Sequence, residues 1–345
     1  MNVRHVAARA QIRYSANAMR LPALLTLACV VLPACTDGPD KPSTTTTTTT
    51  TSDDGGGDGG FWAVGEQGVM LRHNHDGAVS QYPLELDEDL RAIACKGADQ
   101  AVVAGAAGVV LTTFDAGASW DRVEIGEAVE LRAVALSAGA LGYIAGDSVL
   151  LRSQDDSRTW SPLAVAAHDW TAITTTGAGT TALLTSAAGQ IFRLQDTQLA
   201  LVHTGDGSLL AGIAVTPDGT HAVAVGQSGL VLRSDDAGEH WLTEPPVTAR
   251  DLHAVRIAGD ASLIVAVGQS GTVVRMGQDD IAVQELLDPA LSLRALHLSQ
   301  AHGHAVGDDG LMFATHDRGR TWQPMIHDLD HDLLGLDDLH GEPHL

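Results

Sequence analysis

The stretch from His221 to Trp241 shows a hydrophobic pattern that recurs along most of the chain. It begins with HAVAV, small and apolar residues that predict a half-buried strand ending at Gly226. After the turn QSG, the run LVLRS predicts a second strand rich in aliphatic and β-branched residues. SDDAGEHW then predicts a tight loop in which Asp bonds backbone N–H groups and Gly takes a positive φ. Trp241 is expected to pack back onto this unit.

Seven copies of this strand–turn–strand unit follow one another, 39 to 42 residues apart. Their turn positions are Gly65, Gly105, Gly146, Ser186, Gly226, Gly268 and Gly307. Repeats of about 40 residues with three or four short strands are typical of a β-propeller. The pattern therefore predicts an all-β, seven-bladed β-propeller over residues 61–340, followed by a short tail over 341–345.

A further short apolar strand precedes six of the seven units, and its third residue is always Ala or Gly. These residues are Ala92, Ala133, Ala172, Gly212, Ala254 and Ala295. We expect small side chains here because the inner strands crowd around a narrow central channel. The missing seventh strand is LLGLD, from Leu333 to Asp337, with Gly335 at the small position. The C-terminal strand is therefore expected to close the ring as the inner strand of the first blade.

Four of the tight loops share the pattern S/T-x-D-x-G-x-x-W, with Ser157 replacing Gly in one of them. Their Asp and Trp residues are Asp115, Trp120, Asp155, Trp160, Asp236, Trp241, Asp317 and Trp322. These loops resemble the Asp-box, or BNR, repeat. With its AVGxxGxxLR lead-in, the chain resembles the seven-bladed BNR propellers related to the photosystem II assembly and stability factor of chloroplasts and cyanobacteria. The resemblance covers nearly all of residues 61–322, although blades one, four and six keep only remnants of the box. The motif recurs in glycosidases, assembly factors and sensor domains, so it implies a fold more than an activity.

The first 35 residues have the composition of a secretory signal. They contain four arginines and no acidic residue, and an apolar run from Leu21 to Leu32 that is too short to span a bilayer. LPAC, ending at Cys35, resembles the lipobox of bacterial lipoproteins, whose Cys is acylated. The alternative is an ordinary cleaved signal in which Cys35 has no role. The sequence leaves open whether translation starts at Met1 or at Met19. Since Thr36 is not the Asp associated with inner-membrane retention in that family, we expect an outer-membrane lipoprotein, periplasmic or surface-exposed.

Residues 36–60 are dominated by Thr, Gly and Asp and are expected to be a disordered tether between the membrane and the propeller. The chain has a formal net charge of −23, which disfavours a nucleic-acid partner. Cys95 is the only cysteine beyond Cys35, so an internal disulfide is not expected. A monomer without cofactor is predicted.

Catalysis by the Asp-box acids is not expected. One Asp per blade would leave the carboxylates ~15 Å or more apart, whereas paired-carboxylate catalysis needs ~5 to 10 Å. The sialidases, which also carry Asp boxes, use a Tyr nucleophile with a Glu partner. Beyond the leader this chain has only Tyr82 and Tyr143, and neither suggests such a pair. The uniform repeat spacing also leaves no room for the long loops of other BNR glycosidases. We therefore predict a non-catalytic protein-binding or assembly scaffold, with a carbohydrate-active enzyme or glycan-binding module as the alternative.

The residue before the small Ala or Gly varies between blades, and this is where a propeller would carry specificity. The variable residues are Arg91, Arg132, Thr171, Ala211, His253, Arg294 and Leu334. The residues Arg91, Arg132, His253 and Arg294 could form a cationic arc at the channel mouth that binds the carboxylates of an acidic peptide or sugar acid. The resemblance points the same way, because members of the assembly-factor family are thought to bind partners through an arginine-rich surface. The alternative is that each Arg pairs with an acid of a neighbouring blade and holds the ring together.

Two further sets of residues receive no functional role. The arginines Arg72, Arg152, Arg193, Arg233 and Arg275 each lie beside an Asp-box position, and local pairing is the favoured interpretation. The C-terminal histidines His327 and His331 are four residues apart, but without a fixed helix that spacing is a weak metal signal, and no metal site is predicted.

Overall fold

Seven four-stranded antiparallel sheets make up the part of the chain that the computed structural model describes, which is residues 60–74, 78–277, 281–286, 291–299, 301–325, 327 and 329–338. Each sheet is one blade, and the predicted all-β, seven-bladed propeller is confirmed. Within these ranges, no helix is long and apolar enough to cross a membrane. The predicted signal sequence, Cys35, the tail and all but the last residue of the tether lie outside the described residues.

The blades share one plan, in which strands run from the channel outwards. The inner strands of blades 1 to 7 are Leu333–Asp338, Leu90–Lys96, Leu131–Leu136, Trp170–Thr175, Leu210–Val215, Leu252–Ile257 and Leu293–Ser299. The second strands are Phe61–Gly65, Gln100–Gly105, Gly142–Gly146, Thr181–Ser186, Ala222–Gly226, Leu263–Gly268 and His302–Gly307. The third strands are Met70–His73, Val110–Thr113, Val149–Ser153, Gln190–Gln195, Val231–Ser234, Thr272–Gly277 and Met312–Thr315. The outer strands are Val79–Gln81, Asp121–Arg122, Ser161–Pro162, Gln198–Thr204, Leu242–Thr243, Ile281–Glu285 and Gln323–Pro324.

The ring closes between the two ends of the propeller, as the sequence predicts. Leu333–Asp338 pairs antiparallel with Phe61–Gly65, with Phe61 opposite Asp338 and Val64 opposite Gly335. Blade 1 therefore takes its inner strand from the C-terminal end and its other strands from the N-terminal end, so that the channel-side edge of Phe61–Gly65 is paired.

The small third residue of the inner strand has the predicted cause. A Cβ on Gly335 would lie 3.0 Å from Cα of Ala92, the equivalent residue of blade 2. Similarly, a Cβ on Gly212 would lie 3.2 Å from Cα of Ala254. The third residues of neighbouring inner strands are thus in contact, and a larger side chain would push the blades apart.

The hydrophobic core lies between adjacent blades. Trp62 and Val64 of blade 1, for example, pack with Leu90 and Val103 of blade 2 in one buried cluster. Because both faces of each sheet are covered by neighbouring blades, the second strands are buried along almost their whole length. The sequences of the second strands are therefore continuous apolar runs, such as AVAVG and LIVAVG.

The outer strands differ in length according to the loop that precedes them. They have two residues in blades 2, 3, 5 and 7, the four blades whose loops keep the Asp and Trp of the box. In blades 1, 4 and 6 they have three, seven and five residues. The outer strand is therefore shorter where the loop keeps both residues.

Candidate functional site

A β-bulge lies near the start of every inner strand. The register against the second strand shifts by one residue there in all seven blades, so that one inner-strand residue has no partner. The bulged residues are Leu334, Arg91, Arg132, Thr171, Ala211, His253 and Arg294. We call them the bulge ring. These are the residues that vary between repeats, and a bulge re-aims the side chain of its extra residue. All seven lie at the same end of the propeller, opposite the Asp-box loops.

Arg91 connects two blades. Its Nε donates to Oε2 of Glu130, just before the inner strand of blade 3, at 2.9 Å. Its Nη2 also donates to Oδ2 of Asp89 at 3.3 Å. The side chain remains 34% exposed, so Arg91 bridges neighbouring blades and still reaches the channel mouth.

Arg132 and Arg294 pair with acids of their own blades. Arg132 forms an ion pair with Asp147, and Nε of Arg294 donates to Oδ1 of Asp308 at 2.7 Å. Both acids directly follow the turn glycine of the second strand. The two arginine side chains are 36% and 39% exposed, and these pairs do not join one blade to another.

Thr171 and His253 hold the next blade through its backbone. The hydroxyl of Thr171 donates to the carbonyl of Leu210 at 2.6 Å. Nδ1 of His253 lies 2.9 Å from the carbonyl of Leu293 and therefore donates to it. Burial lowers the pKa of His253. Arg91, Arg132, His253 and Arg294 thus lie in one ring, but each is already bound to a protein acceptor.

Carboxylates at the same mouth were missed by the sequence reasoning. An acid precedes the inner strand in five blades: Asp89, Glu130, Asp169, Asp251 and Asp332. Glu66 also lies here, and burial, followed by the nearby charges of Asp332 and Asp89, raises its pKa. The acid that stands one residue before five of the seven inner strands was the signal that could have revealed them.

The Asp-box loops occupy the opposite end, and each is closed by its own hydrogen bonds. In blade 2 the Thr113 hydroxyl accepts the N–H of Gly117 at 2.9 Å and donates to Asp115 at 2.7 Å. Asp115 also accepts the hydroxyl of Ser119 at 2.6 Å and its N–H at 2.9 Å. The other three boxes repeat the serine or threonine bond and the backbone bond to Asp.

These bonds set the ionisation of the Asp-box acids. Hydrogen bonds from the residue four positions ahead, supported by the Ser or Thr two positions before, lower the pKa of Asp115, Asp155 and Asp236 to about 2. At Asp317 burial opposes the shift, but bonds from Thr321 still lower the pKa. A glycosidase general acid needs a raised pKa, so these carboxylates are unsuited to that role.

The tryptophans that end the boxes pack inwards. Trp160, Trp241 and Trp322 are buried, and Trp120 is half-buried. The indole N–H of Trp241 donates to the carbonyl of Gly238 at 3.1 Å, and that of Trp322 to Gly319 at 3.2 Å. In blades 5 and 7 the indole ring therefore closes the loop that it ends.

Each Asp box also connects its blade to the preceding one by a hydrogen bond. The residue before its Gly, or before Ser157 in blade 3, has a positive φ and turns its carbonyl towards the preceding blade. These carbonyls accept a side-chain N–H from that blade in all four boxes: Arg72 to Ala116, Gln100 to Asp156, Arg193 to Ala237, and Arg275 to Arg318, at 3.0 to 3.2 Å. Three of the five arginines expected to pair locally therefore bind the next blade instead, whereas Arg233 pairs with Asp235 of its own blade.

A polar cluster lies among the inner strands at the Asp-box half of the channel. Asp337 of the closing strand lies 3.1 Å from His297 of blade 7 and accepts the N–H of Cys95 of blade 2 at 2.7 Å. The positive charge of Arg256 from blade 6 also acts on Asp337. Over the described residues, no group of three or more His, Cys, Asp or Glu side chains is arranged to hold a metal ion.

The blade plan and the box geometry define a class, the seven-bladed Asp-box propellers. Within it, residues 71–209 match the sequence model of the family described as "Photosynthesis system II assembly factor YCF48". The chain therefore resembles the assembly-factor propellers, as its motifs suggest. No curated protein sequence matches the chain significantly.

Solved structures share the fold at low sequence identity. A structure described as YCF48 bound to D1 peptide is 15% identical with a TM-score of 0.57, covering 72% of this chain and 89% of its own. YCF48 from Cyanidioschyzon merolae is 19% identical with a TM-score of 0.58, covering 71% and 87%. The β-propeller domain of Cps50 (Swd1) from Myceliophteria thermophila is 11% identical with a TM-score of 0.57, covering 69% and 86%.

Proposed function

We propose that this protein is a non-catalytic, protein-binding propeller that acts as an assembly scaffold and contacts its partner at the bulge ring. The observation that carries the proposal is that the residues in which the blades differ are the bulged ones, gathered at one mouth of the channel. The resemblance to a family that includes a propeller bound to a peptide supports the same class of function.

The arginines contribute unequally to this proposal. Arg91 bridges blades 2 and 3, so its replacement would disturb the ring itself. Arg132 and Arg294 pair only within their blades and keep more than a third of their side chains exposed. A partner carboxylate can replace Asp147 and Asp308 as the acceptors of these two guanidiniums without separating any blades. We therefore assign the contact to Arg132 and Arg294.

The absence of catalysis is also part of the proposal. It is supported by the Asp-box acids, which are held ionised by their own loops. The cell-envelope location belongs to the proposal as well: it rests on the lipobox-like sequence at Cys35 and on the tether composition of residues 36–60. In this arrangement a monomeric propeller meets its partner outside the cytoplasm, at or near the outer membrane.

The test is an affinity capture from detergent-solubilised membranes with the full chain as bait, compared with Arg132→Ala/Arg294→Ala. The matched control is Arg158→Ala, which removes an exposed arginine from an Asp-box loop at the other end. A partner that binds the wild type and the control, but not the double variant at unchanged melting temperature, supports the assignment. Equal capture by all three baits contradicts it, and turnover of glycan substrates by the purified protein would overturn the non-catalytic role.

A further inference from the structure

Two histidines face each other across the ladder of blade 7, at its Asp-box end. In that ladder Gly303 pairs with Thr315, so His302 and His316 are the next two opposed residues towards the Asp-box loop. Their Nδ1 atoms lie 3.0 Å apart, with ring centroids separated by 5.2 Å and planes at 78°. His316 is exposed and His302 is half-buried, so solvent reaches the pair.

The 3.0 Å between the two Nδ1 atoms fits two kinds of interaction. One neutral imidazole can donate a hydrogen bond to the other across this gap. The gap also matches two ligands on one ion, since metal–nitrogen bonds of ~2.0–2.1 Å at angles of ~90–109° place the two nitrogens about 2.9–3.4 Å apart. Imidazole is a preferred ligand of the late first-row divalent metals.

Blade 5 offers an internal comparison. At the same two positions it has His221 and Asp235, with Nδ1 and Oδ1 2.9 Å apart. Arg233 also contacts Asp235 there, at 3.3 Å. In blade 7 the carboxylate is replaced by His316 and the third-strand arginine by Ala314. An ion-paired position of blade 5 has thus become a pair of imidazoles in blade 7.

We propose that His302 and His316 bind one divalent ion of the Cu²⁺, Ni²⁺ and Zn²⁺ class through their Nδ1 atoms. The strand ladder fixes both backbones, so little ordering is needed when the ion binds. Two protein ligands leave the other coordination positions to water or to a side chain of a partner. The site lies at the opposite end from the bulge ring, so its success or failure is independent of the proposed function.

The test measures metal bound by the full chain after equilibrium dialysis against CuCl₂, NiCl₂ or ZnCl₂, with affinity from calorimetry. His316→Ala and His302→Ala are each expected to weaken binding of one equivalent by at least ~10-fold, a loss that even an outer-shell partner of a metal ligand can cause. The control His327→Ala/His331→Ala removes the other histidine pair noted in the sequence. Binding that survives His316→Ala, or that is lost only in the control, would show that the ion is held elsewhere.

A gain-of-site variant keeps the proposal testable if either alanine variant is unstable. Asp235→His/Arg233→Ala in blade 5 pairs a second imidazole with His221 at the equivalent cross-strand position and copies Ala314 of blade 7 at the arginine position. One additional equivalent of metal, with two nitrogen ligands in the Cu²⁺ electron paramagnetic resonance spectrum, is expected. A wild-type protein that binds no equivalent, or a double variant that gains none, would overturn the inference that this geometry makes a site.

Discussion

His297 of blade 7 and Asp337 of the closing strand are joined by a contact of 3.1 Å between Nδ1 and Oδ1. Nε2 of His297 also lies 3.5 Å from Oδ2 of Asp338. Both ring nitrogens therefore face carboxylates, which favours the imidazolium form. The closing strand is thus held to blade 7 by charge, and to the second strand of blade 1 by its ladder of backbone hydrogen bonds.

The pair predicts a pH-dependent stability. Burial alone would lower the pKa of His297, but its hydrogen bonds to Asp337 and Asp338 outweigh burial and raise it. A raised folded-state pKa gives a contribution that is complete below the unfolded pKa of about 6.5 and is lost as the pH rises through the folded value. The free energy of unfolding should therefore fall as the pH is raised above neutrality.

The variant Asp337→Asn isolates this effect. Burial would raise the pKa of Asp337, but the bond from His297 and the charge of Arg256 hold it down, so the carboxylate is charged at neutral pH. Breaking a buried pair costs about 3–5 kcal/mol, and urea unfolding from pH 6 to 9 should show this loss together with a flatter pH profile. Parallel profiles for the two proteins would mean that another group causes the decline.

The glycine of the Asp box predicts a difference between two blades. A Cβ on Gly117 would lie 2.2 Å from Cζ2 of Trp62, whereas one on Gly319 would lie 3.4 Å from Val265. Both glycines have a positive φ, of +80° and +74°, so alanine costs about 1–2 kcal/mol of backbone strain at either position. Gly117→Ala should lose a further ~1–3 kcal/mol from overpacking. Chemical denaturation of both variants measures this, and equal losses would show that Trp62 moves aside freely.

The ionisation of the boxes is directly measurable. Because the hydroxyl of Ser119 contributes most to lowering the pKa of Asp115, Ser119→Ala should raise that pKa from about 2 towards its ordinary value. Ser119→Thr, which copies the residue found at this position in blades 3 and 7, should keep it low. Carboxyl ¹³C chemical shifts followed from pH 5 to pH 1.5 distinguish the two. An unchanged titration in Ser119→Ala would assign the shift to backbone donors alone.

The lowered pKa of Asp115 also makes the stability of the protein depend on pH. The folded pKa of Asp115 lies below the unfolded value of about 3.9, so its contribution to stability is present above that pH and is lost as the pH falls towards 2. The free energy of unfolding of the wild type should therefore decrease as the pH is lowered from about 4 towards 2, which urea unfolding at several pH values measures.

Sequence periodicity was sufficient for the blade plan because every blade repeats the same local pattern. The small third residue predicted the contact between inner strands, and LLGLD predicted the closing strand, since both depend on residue size and spacing. The turn glycines were predicted for their turn, but their stronger requirement is space: a Cβ on Gly146 would lie 2.0 Å from the carbonyl oxygen of Glu130.

The sequence predicted where the candidate site lies, but not the contacts that its residues make. Variation at the position of Arg91 marked the bulge ring, but a one-residue shift in register leaves no trace in composition. The partners of Arg91 and Arg72 lie 39 and 44 residues away, on the next blade. Such contacts depend on how blades are rotated against each other, which a repeat alignment does not give.

The bridge between Arg91 and Glu130 can be tested by a double-mutant cycle. Arg91→Ala, Glu130→Ala and the double variant should give a coupling of roughly 0.5–1 kcal/mol, the upper part of the range for partly exposed pairs. The control is Arg122 and Glu124, a longer contact of 3.8 Å with side chains 43% and 84% exposed, where coupling near zero is expected. If the coupling at Arg91 is as small as in the control, its guanidinium does not hold blades 2 and 3 together. It would then join Arg132 and Arg294 as a residue available to a partner, and the triple variant would be the correct test of the bulge ring.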